Sequence, residues 1–316
     1  MQQDFSRIEF ALGTFCSIDF YEKGHDRVYN EVFTRLREID ILMSRFIASS
    51  DISRINASAG IEPVHVHEDV FYLIEKAVYF ARISSGAFDP TVGPLVSLWG
   101  ITGNDPRVPS QEEIDVILPL INWQYIELDA VDFSVFLPHH GMEIDLGAIA
   151  KGYAADEALK IIMNYGVKRA KIDFGGNIIM YGERADRNPW RVGIQNPIEM
   201  RGTVLGIVDV KNESVVTSGV YERFFIEEDV RYHHIFFPFD GYPVNNGLLS
   251  VTIISENSLE ADALSTAVFV MGFEKGRELI ESLPGVEAVF VFDDFSVRKT
   301  SGANFTLTDR SFRLLN

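Results

Sequence analysis

Four segments of the sequence combine glycine and short polar residues with apolar runs, and we take them as the candidates for a functional site. They are residues 84–95, 142–158, 215–225 together with 232–243, and 259–272. Loops and element ends of this kind carry binding and catalytic residues more often than the elements that hold them.

The last of these segments contains a candidate cation site. Asp262 and Thr266 are four residues apart on a predicted helix, so their oxygens lie on one face. A carboxylate and a hydroxyl are ligands that suit a hard cation such as Mg²⁺. The alternative, which spacing alone favours, is that Asp262 lies in the first helical turn and complements the helix dipole.

The second segment is a candidate anion site. Residues 142–146 resemble the end of a strand, and Gly147 begins a turn into a helix. Backbone N–H groups at a helix start attract anions, and Lys151 would add a point charge. Asp145, at the strand end, is placed to face a ligand. The alternative is a glycine-containing connection beside a solvated lysine.

Two other segments offer an acid and a pair of histidines. Asp89 precedes Pro90, where it is either a ligand-facing acid or, more simply, an Asx-turn residue. His233 and His234 are adjacent, so on a strand they point to opposite faces and only one can face a site.

Helical periodicity appears in four places, each of which positions one candidate segment or packs beneath it. Apolar residues recur at steps of three and four from Val28 to Met43, from Asp69 to Ser85, from Ala148 to Gly166 and from Ala263 to Gly272, with a shorter helix after Glu274.

Strand patterns are more numerous than helical ones. Between residues 170 and 255 they follow one another without a helix, which favours an α+β fold with antiparallel pairing over a βαβ rhythm. The strand candidates are Ile8–Tyr21, Tyr125–Leu128, Phe133–Leu137, Lys171–Phe174, Trp190–Ile194, Val204–Val210, Tyr232–Phe236, Leu249–Ile254 and Glu287–Phe292. The Rossmann and P-loop glycine motifs are absent. No linker divides the chain, so we expect one domain over residues 1–316.

Composition narrows the class of ligand. The 316 residues carry 28 basic and 46 acidic side chains, a net charge of −18. A nucleic-acid interface or an anionic membrane surface is therefore not expected. A ligand with phosphates must meet a local cationic site or a metal ion. The single cysteine, Cys16, is expected to be a core residue rather than a nucleophile.

No segment approaches the ~20 apolar residues of a membrane span. The N-terminal residues lack the basic start and apolar run of a signal peptide. We expect neither a lipid-attachment cysteine nor a leader in this chain, which is consistent with a cytoplasmic form or with a chain from which a leader was removed; the compartment stays open.

Taken in order, the motifs resemble the ApbE family of flavin transferases (FAD:protein FMN transferase). The matching strings are LGTF (12–15), MSRF (43–46), SRIN (53–56), GAFDPTVGPLVSLWG (86–100), IDLGAIAKGYAAD (144–156), DFGGNI (173–178), TSGVYERFF (217–225), HHI (233–235), DGYPV (240–244) and EADALSTAVFVMG (260–272). They span nearly the whole chain.

The resemblance implies a single T-fold-like α+β domain, with largely antiparallel sheets and packed helices, that binds FAD and Mg²⁺. Family members move the FMN half of FAD onto a threonine or serine hydroxyl of a target flavoprotein and release AMP. The acceptor would carry a Ser/Thr-Gly/Ala-Ala-Thr-like segment. Some members instead hydrolyse FAD to FMN and AMP, and a non-catalytic flavin-binding protein is a third hypothesis. The oligomeric state is open, with a homodimer among the options.

Carried over residue by residue, the resemblance implies a metal site at Asp262, Thr266 and the main-chain oxygen of Ala148, assisted by Ser265. It implies His234 as the general base. The flavin-contacting positions would be Leu12, Phe46, Ala87, Phe88, Asp89, Asp145, Lys151 and Phe236.

One of these assignments has an alternative, and two neighbouring positions depart from the family pattern. Phe46 would stack on the isoalloxazine or close the cleft; the alternative is a core residue at the end of the first helix. Phe237 stands where the family usually has an acid, and Asp240 where a threonine is common.

Overall fold

The structure is a computed structural model that describes residues 5–22, 25–101, 103 and 105–315. The first four residues of the N-terminal segment considered above lie outside it. The helices of the described residues are α1 (Asp26–Met43), α2 (Asp51–Ala57), α3 (Glu68–Ile83), α4 (Gly93–Trp99), α5 (Gln111–Ile117), α6 (Ala150–Asn164), α7 (Ser258–Met271) and α8 (Phe273–Ser282).

The strands fall into one large sheet and three small ones. They are β1 (Ser6–Ala11), β2 (Thr14–Phe20), β3 (Val64–His65), β4 (Glu127–Asp129), β5 (Ser134–Phe136), β6 (Ala170–Phe174), β7 (Asn177–Tyr181), β8 (Trp190–Gln195), β9 (Val204–Val210), β10 (Glu213–Gly219), β11 (Phe224–Glu227), β12 (Val230–His233), β13 (Leu248–Ser255), β14 (Glu287–Phe292), β15 (Ser296–Lys299), β16 (Phe305–Leu307) and β17 (Arg313–Leu314).

The large sheet has nine strands in the order β1-β2-β6-β7-β10-β13-β14-β15-β17. Its strand pairs are antiparallel except for β15 with β17. The prediction of an α+β fold with largely antiparallel sheets is therefore confirmed. The prediction of a single domain over 1–316 stays a prediction.

Helices cover one face of this sheet. α1, α6 and α7 bury apolar residues at helical spacing against it, including Val32, Leu36 and Ile39 of α1. Burial of such a face is what stabilises a helix in a globular protein, since propensity alone contributes little. The four predicted helices with the shorter one after Glu274 are confirmed as α1, α3, α6, α7 and α8.

A three-stranded sheet, β16-β9-β8, covers part of the opposite face. Val192 and Ile194 of β8 pack with Met180 of β7 and with Val289 and Val291 of β14 in a second apolar core. The two sheets therefore form a layer pair over β7 to β15, as aligned sheets commonly do.

The predicted strand Ile8–Tyr21 is wrong as a single strand, because it is a hairpin. β1 and β2 are joined at Leu12 and Gly13, whose φ angles are 53° and 69°. Two successive positive φ values are those of a type I′ turn, which matches the twist of the strands. Apolar alternation runs on through the turn and hid it from the sequence pattern.

Other local predictions need smaller corrections. The sequence pattern missed α2, α4 and α5, which are seven residues each and too short for a clear period. Residues 142–146 are not a strand and make only one isolated bridge, between Val92 and Glu143. The strand predicted at Tyr232–Phe236 ends at His233, and that predicted at Tyr125–Leu128 begins as a 3₁₀ turn. No helix of the described residues is long and apolar enough to cross a membrane.

Candidate functional site

A cleft of about 1580 Å³ opens where the hairpin, the N-terminal end of α6, α7 and the strands β7, β8, β10 and β12 converge. Pockets for drug-sized ligands usually measure roughly 300–1,000 Å³, so this cleft is large enough for a dinucleotide. Every predicted site residue except Ser265 lines it.

The predicted metal ligands of α7 lie together in a buried hydroxyl cluster. Asp262 is 4% exposed, and the Ser265 hydroxyl donates to its main-chain oxygen at 2.8 Å. The Ser218 hydroxyl, on β10, lies 2.8 Å from Ser265 Oγ and 3.2 Å from Thr266 Oγ1. Ser218 is a site residue that sequence reasoning missed, although it belongs to the TSG string.

The helix-dipole interpretation of Asp262 is wrong. α7 begins at Ser258, and the acid of its first turn is Glu260, whose N–H is capped by Asn257. Asp262 is thus one turn inside the helix, and Oδ2 accepts the Gly152 N–H at 2.9 Å. A carboxylate buried at such a position needs a partner, because an unpaired buried charge is costly.

Because the Gly152 N–H bonds to Asp262, it does not bond to the main-chain carbonyl that would normally accept it. A helical N–H normally donates to the carbonyl four residues earlier, which for Gly152 is Ala148. Among the residues that the structure describes, no backbone N–H donates to Ala148 O. Ala148 lines the cleft, so an oxygen with an unfilled lone pair is available beside the carboxylate.

The set of oxygens around Asp262 fits a hard cation. It comprises one carboxylate, two hydroxyls and a main-chain carbonyl. No group of three His, Cys, Asp or Glu side chains gathers elsewhere in the described ranges. Mg²⁺ is usually held by one or two carboxylates with substrate phosphates completing its shell, so a single carboxylate is sufficient in a diphosphate site.

Asp145 is fixed by two contacts and does not stand free at a strand end. Oδ1 accepts the Gly147 N–H at 2.7 Å, and Oδ2 accepts from Arg45 at 2.9 Å. Arg45 also pairs with Glu143 at 2.7 Å and is 13% exposed. Sequence reasoning did not assign a role to Arg45, although it lies in the MSRF string (43–46) just after the end of α1.

Lys151 is partly buried in the cleft, so the solvated-lysine alternative is wrong. Its Nζ donates to Gly147 O at 3.2 Å and lies 3.7 Å from Asp262 Oδ1. The lysine therefore supplies a positive charge beside the oxygen cluster, where a ligand phosphate would benefit from it.

The two adjacent histidines have opposite environments, as predicted, although β12 ends at His233 and His234 lies beyond it. His233 is 4% exposed; its Nε2 donates to Val244 O and its Nδ1 accepts the Ile235 N–H, so it is a core residue. His234 is half-buried and lines the cleft, with Nδ1 3.1 Å from Arg223 O. Because that carbonyl only accepts, Nδ1 carries the proton and Nε2 is the free base.

Burial lowers the pKa of His234 to about 4, and the nearby charges of Arg223, His233 and Lys151 act in the same direction. The hydrogen bond to Arg223 O opposes the shift. The imidazole is therefore neutral at pH 7 and able to accept a proton.

Several predicted flavin contacts form the floor of the cleft. Ala87 and Phe88 are buried, and the Phe236 ring packs on Trp99 with ring centroids 5.9 Å apart. Asp89 acts as an Asx-turn residue: Oδ1 accepts from the Thr91 N–H and hydroxyl, and Oδ2 accepts the Trp123 N–H. Burial raises the pKa of Asp89. Its side chain shapes the floor.

Leu12 and Phe46 stand at the mouth of the cleft. Phe46 is 77% exposed, so its interpretation as a core residue is wrong. The guanidinium of Arg45 lies 5.9 Å from the centre of its ring. An exposed aromatic ring at a cleft mouth is available to cover a flat ligand.

Cys16 is fully buried on β2, and burial raises the pKa of its thiol to about 12. The prediction of a core residue is confirmed.

The cleft also contains cations and a phenol that sequence reasoning did not single out. Arg201, Arg223 and Arg231 line it, and within the described part of the chain none of them pairs with a carboxylate. Burial raises the pKa of Tyr221. These arginines supply positive charge, but the cleft lining contains seven acidic and five basic residues, so a phosphate ligand would also need a cation such as a metal ion.

Comparison with known proteins identifies the family of the chain. The model of the ApbE family matches residues 12–290. The chain belongs to the ApbE family. A curated relative from Treponema pallidum, named FAD:protein FMN transferase, is 38% identical over 95% of this chain and 88% of its own. A relative of the same name from Klebsiella pneumoniae is 38% identical over 85% of this chain and 83% of its own.

Solved structures agree with this assignment. The crystal structure of an ApbE protein from Thermotoga maritima superposes with a TM-score of 0.86, at 35% identity over 95% of this chain and 97% of that one. The flavin transferase ApbE from Vibrio cholerae gives a TM-score of 0.83, at 26% identity over 98% of both chains. The ApbE-like fold expected from the sequence is therefore confirmed.

Proposed function

We propose that this protein is a Mg²⁺-dependent FAD:protein FMN transferase that acts on a flavoprotein acceptor. One observation carries the proposal: the oxygen cluster of Asp262, Thr266 and Ala148 lies in the same cleft as His234 and the expected flavin contacts. A cation site and a neutral base, side by side in a dinucleotide-sized cleft, suit phosphoryl transfer.

Asp262, Thr266 and the carbonyl of Ala148 would hold the metal, with Ser265 orienting Thr266 through Ser218. When bound, Mg²⁺ supplies charge that offsets the diphosphate and steadies charge developing at phosphorus. The donor set fits because Ala148 O has no backbone donor in the described ranges and the carboxylate is buried.

The reaction then needs a base and a fixed line of attack. The acceptor hydroxyl oxygen forms a bond to the phosphorus of the FMN half, and the bond from that phosphorus to the bridging oxygen breaks. His234 Nε2 takes the hydroxyl proton, while its Nδ1–H stays on Arg223 O and fixes the ring. AMP leaves with the bridging oxygen, and Arg223 and Lys151 offset its charge.

The acceptor we propose carries a Ser/Thr-Gly/Ala-Ala-Thr-like segment, and we propose that the chain works as one domain. A homodimer is compatible with this scheme. The names of the relatives support transfer to a protein as the preferred function.

A FAD pyrophosphatase is the second candidate, because water could use the same base and metal. Phe237, in place of the family's usual acid, leaves a third candidate, a non-catalytic flavin-binding protein. Its ring packs edge-on against Phe239 at 5.2 Å and adds no charge to the site.

The deciding experiment incubates the protein with FAD, Mg²⁺ and a flavoprotein acceptor, and follows protein-bound flavin and AMP. Transfer predicts both products in equal amounts and stable FAD when the acceptor is omitted. Rapid release of FMN without an acceptor would favour hydrolysis, and tight FAD binding without any turnover would favour the binding protein.

The variant Asp262→Ala tests the proposed metal site in the same assay. Activity should fall at least a hundredfold, since the variant removes the only carboxylate of the proposed cation site among the described residues. Asp115→Ala, which removes an exposed acid on α5 away from the cleft, is the matched control and should keep full activity.

A further inference from the structure

The expected flavin contacts account for only part of the cleft lining, and we divide its lining residues into two arms. The flavin arm runs from Phe46 and Asp145 to Lys151. A second arm runs between the hairpin and the small sheet. Its lining residues are Phe10, Thr14 and Ile178 on one side and Val192, Gly193 and Val204 on the other.

Beside the second arm, the β1–β2 hairpin exposes three large apolar side chains that nothing in the described chain covers. Ile8, Phe10 and Phe15 are 62%, 68% and 71% exposed. The strand register runs from Ile8 through Ser17 and Asp173 to Ile178, so these side chains share the face that the small sheet covers farther along. The small sheet therefore does not extend over β1 and β2, and this end of the face is exposed.

The opposite side of the second arm is an open strand edge. In the described strand pairing β8 bonds to β9 and to no other strand. Trp190, at the start of β8, packs on Tyr21 with ring centroids 4.7 Å apart, which places that edge beside the end of β2. Gln195, at its other end, lines the cleft. An edge strand with unpaired N–H and C=O groups is a template for another strand.

We propose that the second arm is the docking groove for the acceptor protein, and that the acceptor segment binds there in an extended conformation along the free edge of β8. The proposal rests on the proposed function, because transfer to a protein requires a polypeptide to reach His234 while FAD occupies the other arm. Strand addition supplies affinity through main-chain hydrogen bonds, and pockets for alternate side chains supply specificity.

The dimensions and chemistry of the groove suit this occupant. β8 has six residues, which at about 3.3 Å per residue gives an edge of roughly 20 Å. An extended segment of similar length would place its alternate side chains against Phe10 and Phe15. These two rings are apolar, whereas Ser17 and Asp173 on the same face are polar, so we expect small or apolar residues where the segment meets the rings.

The test uses the full chain with FAD and Mg²⁺, and as probe a synthetic peptide of about twelve residues centred on Ser-Gly-Ala-Thr. Flavin transfer to the peptide is measured at varied peptide concentration. Hydrogen exchange of β8 and of the β1–β2 hairpin is measured with and without peptide. Fluorescence titration gives the affinity for FAD.

Phe10→Ser/Phe15→Ser is the test variant, and Ile61→Ser, an equally exposed apolar residue outside the cleft, is the matched control. We expect at least a tenfold rise in KM for the peptide in the double variant alone, an FAD affinity within twofold of wild type, and slower exchange of β8 amides when peptide is added.

Each other outcome decides a separate point. An unchanged KM, or transfer without protection of β8, would overturn the groove while leaving the transferase standing. Protection of β8 without transfer would support the groove and count against the proposed function. Neither protection nor transfer would overturn both. A changed oligomeric state in the double variant would assign this face to a second copy of the chain instead.

Discussion

Two adjacent histidines show how one residue type takes two roles through its surroundings. Both ring nitrogens of His233 form hydrogen bonds with backbone groups of the core. In His234 only Nδ1 forms such a bond, and Nε2 is available to a ligand in the cleft. His233 is the last residue of β12 and His234 follows it, so the two rings face different surroundings, and the Arg223 carbonyl selects the tautomer of His234. The chemistry therefore depends on a single backbone contact of the second ring.

Replacing His234 with Gln should lower the rate of flavin transfer by ~10²–10⁴-fold, the usual contribution of a general base. FAD binding, measured by fluorescence titration, should survive because the variant keeps the size and polarity of the side chain. A rate within threefold of wild type would remove His234 from the mechanism.

The pH profile supplies a separate check on the same residue. A base works only when unprotonated, so kcat/KM should be constant above the pKa of His234 and fall as pH drops through about 4. Circular dichroism at each pH distinguishes this loss from unfolding. An acidic limb near the ordinary value of ~6.5 that persists in His234→Gln would assign the limb to another group.

At the scale of elements, the close approach of α6 and α7 forms the proposed metal site. A Cβ on Gly152 would lie 2.7 Å from Leu259 Cα and 2.8 Å from Asp262 Cβ. Only glycine permits this contact, which also brings the Gly152 N–H to the Asp262 carboxylate. The crossing of the two helices thus gives the Gly152 N–H to the carboxylate and, among the described residues, leaves Ala148 O without a backbone donor.

Gly152→Ala should therefore damage both stability and metal binding. Overpacking of this kind costs about 1–3 kcal/mol, and a displaced α7 would weaken the Mg²⁺ dependence of FAD binding. Urea unfolding and FAD titration at varied Mg²⁺ measure the two effects. Gly103→Ala, in an exposed turn, is the control. If Gly152→Ala were as stable as that control, the helix contact would not be the constraint we infer.

Asp156 joins the same two helices from the other side. Its carboxylate accepts the N–H groups of Ser258 and Leu259 at the start of α7, each at 2.9 Å. Burial nevertheless raises its pKa to about 6. The stabilising contribution of Asp156 should therefore be complete below about pH 4 and be lost as pH rises through 6.

The difference in unfolding free energy between wild type and Asp156→Asn measures this effect. It should shrink between pH 4 and pH 6, since the folded state binds the extra proton in that window. Urea unfolding at unit steps of pH gives the curve. A difference that grew with pH would reverse the sign of the shift and contradict the burial argument.

At the scale of the whole molecule, a net charge of −18 opposes the binding of a dinucleotide diphosphate. The cleft lining contains Lys151 and four arginines but also seven acidic residues, so by our proposal a divalent cation is needed to offset the diphosphate. Repulsion from the rest of the surface is screened over about 8 Å at physiological ionic strength, so these local groups dominate at the phosphates.

FAD should therefore raise the melting temperature substantially only when Mg²⁺ is present. A ligand at a hundred times its Kd stabilises the folded state by about 2.7 kcal/mol, and EDTA should remove most of that effect. Differential scanning fluorimetry with FAD, Mg²⁺ or both gives the comparison. An equal shift with and without Mg²⁺ would show that the cationic side chains suffice.

The sequence by itself determined the longer helices, the antiparallel strand succession and the family. Apolar steps of three and four fixed α1, α3, α6 and α7, because a helix must bury one face. Successive strand patterns after residue 170 indicated antiparallel pairing. Ordered motifs along nearly the whole chain identified the ApbE family, and strand alternation showed that only one histidine could face a site.

Only the tertiary structure decided how these pieces meet. The bond from Gly152 to Asp262 joins residues 110 positions apart, and Arg45 reaches Asp145 across 100. Within the described residues, the Ala148 carbonyl without a backbone donor, the position of Ser218 and the unpaired edge of β8 likewise follow from contacts between distant segments. Sequence periodicity reports which face of an element is buried, but the partner buried against it is chosen by the packing of the whole chain.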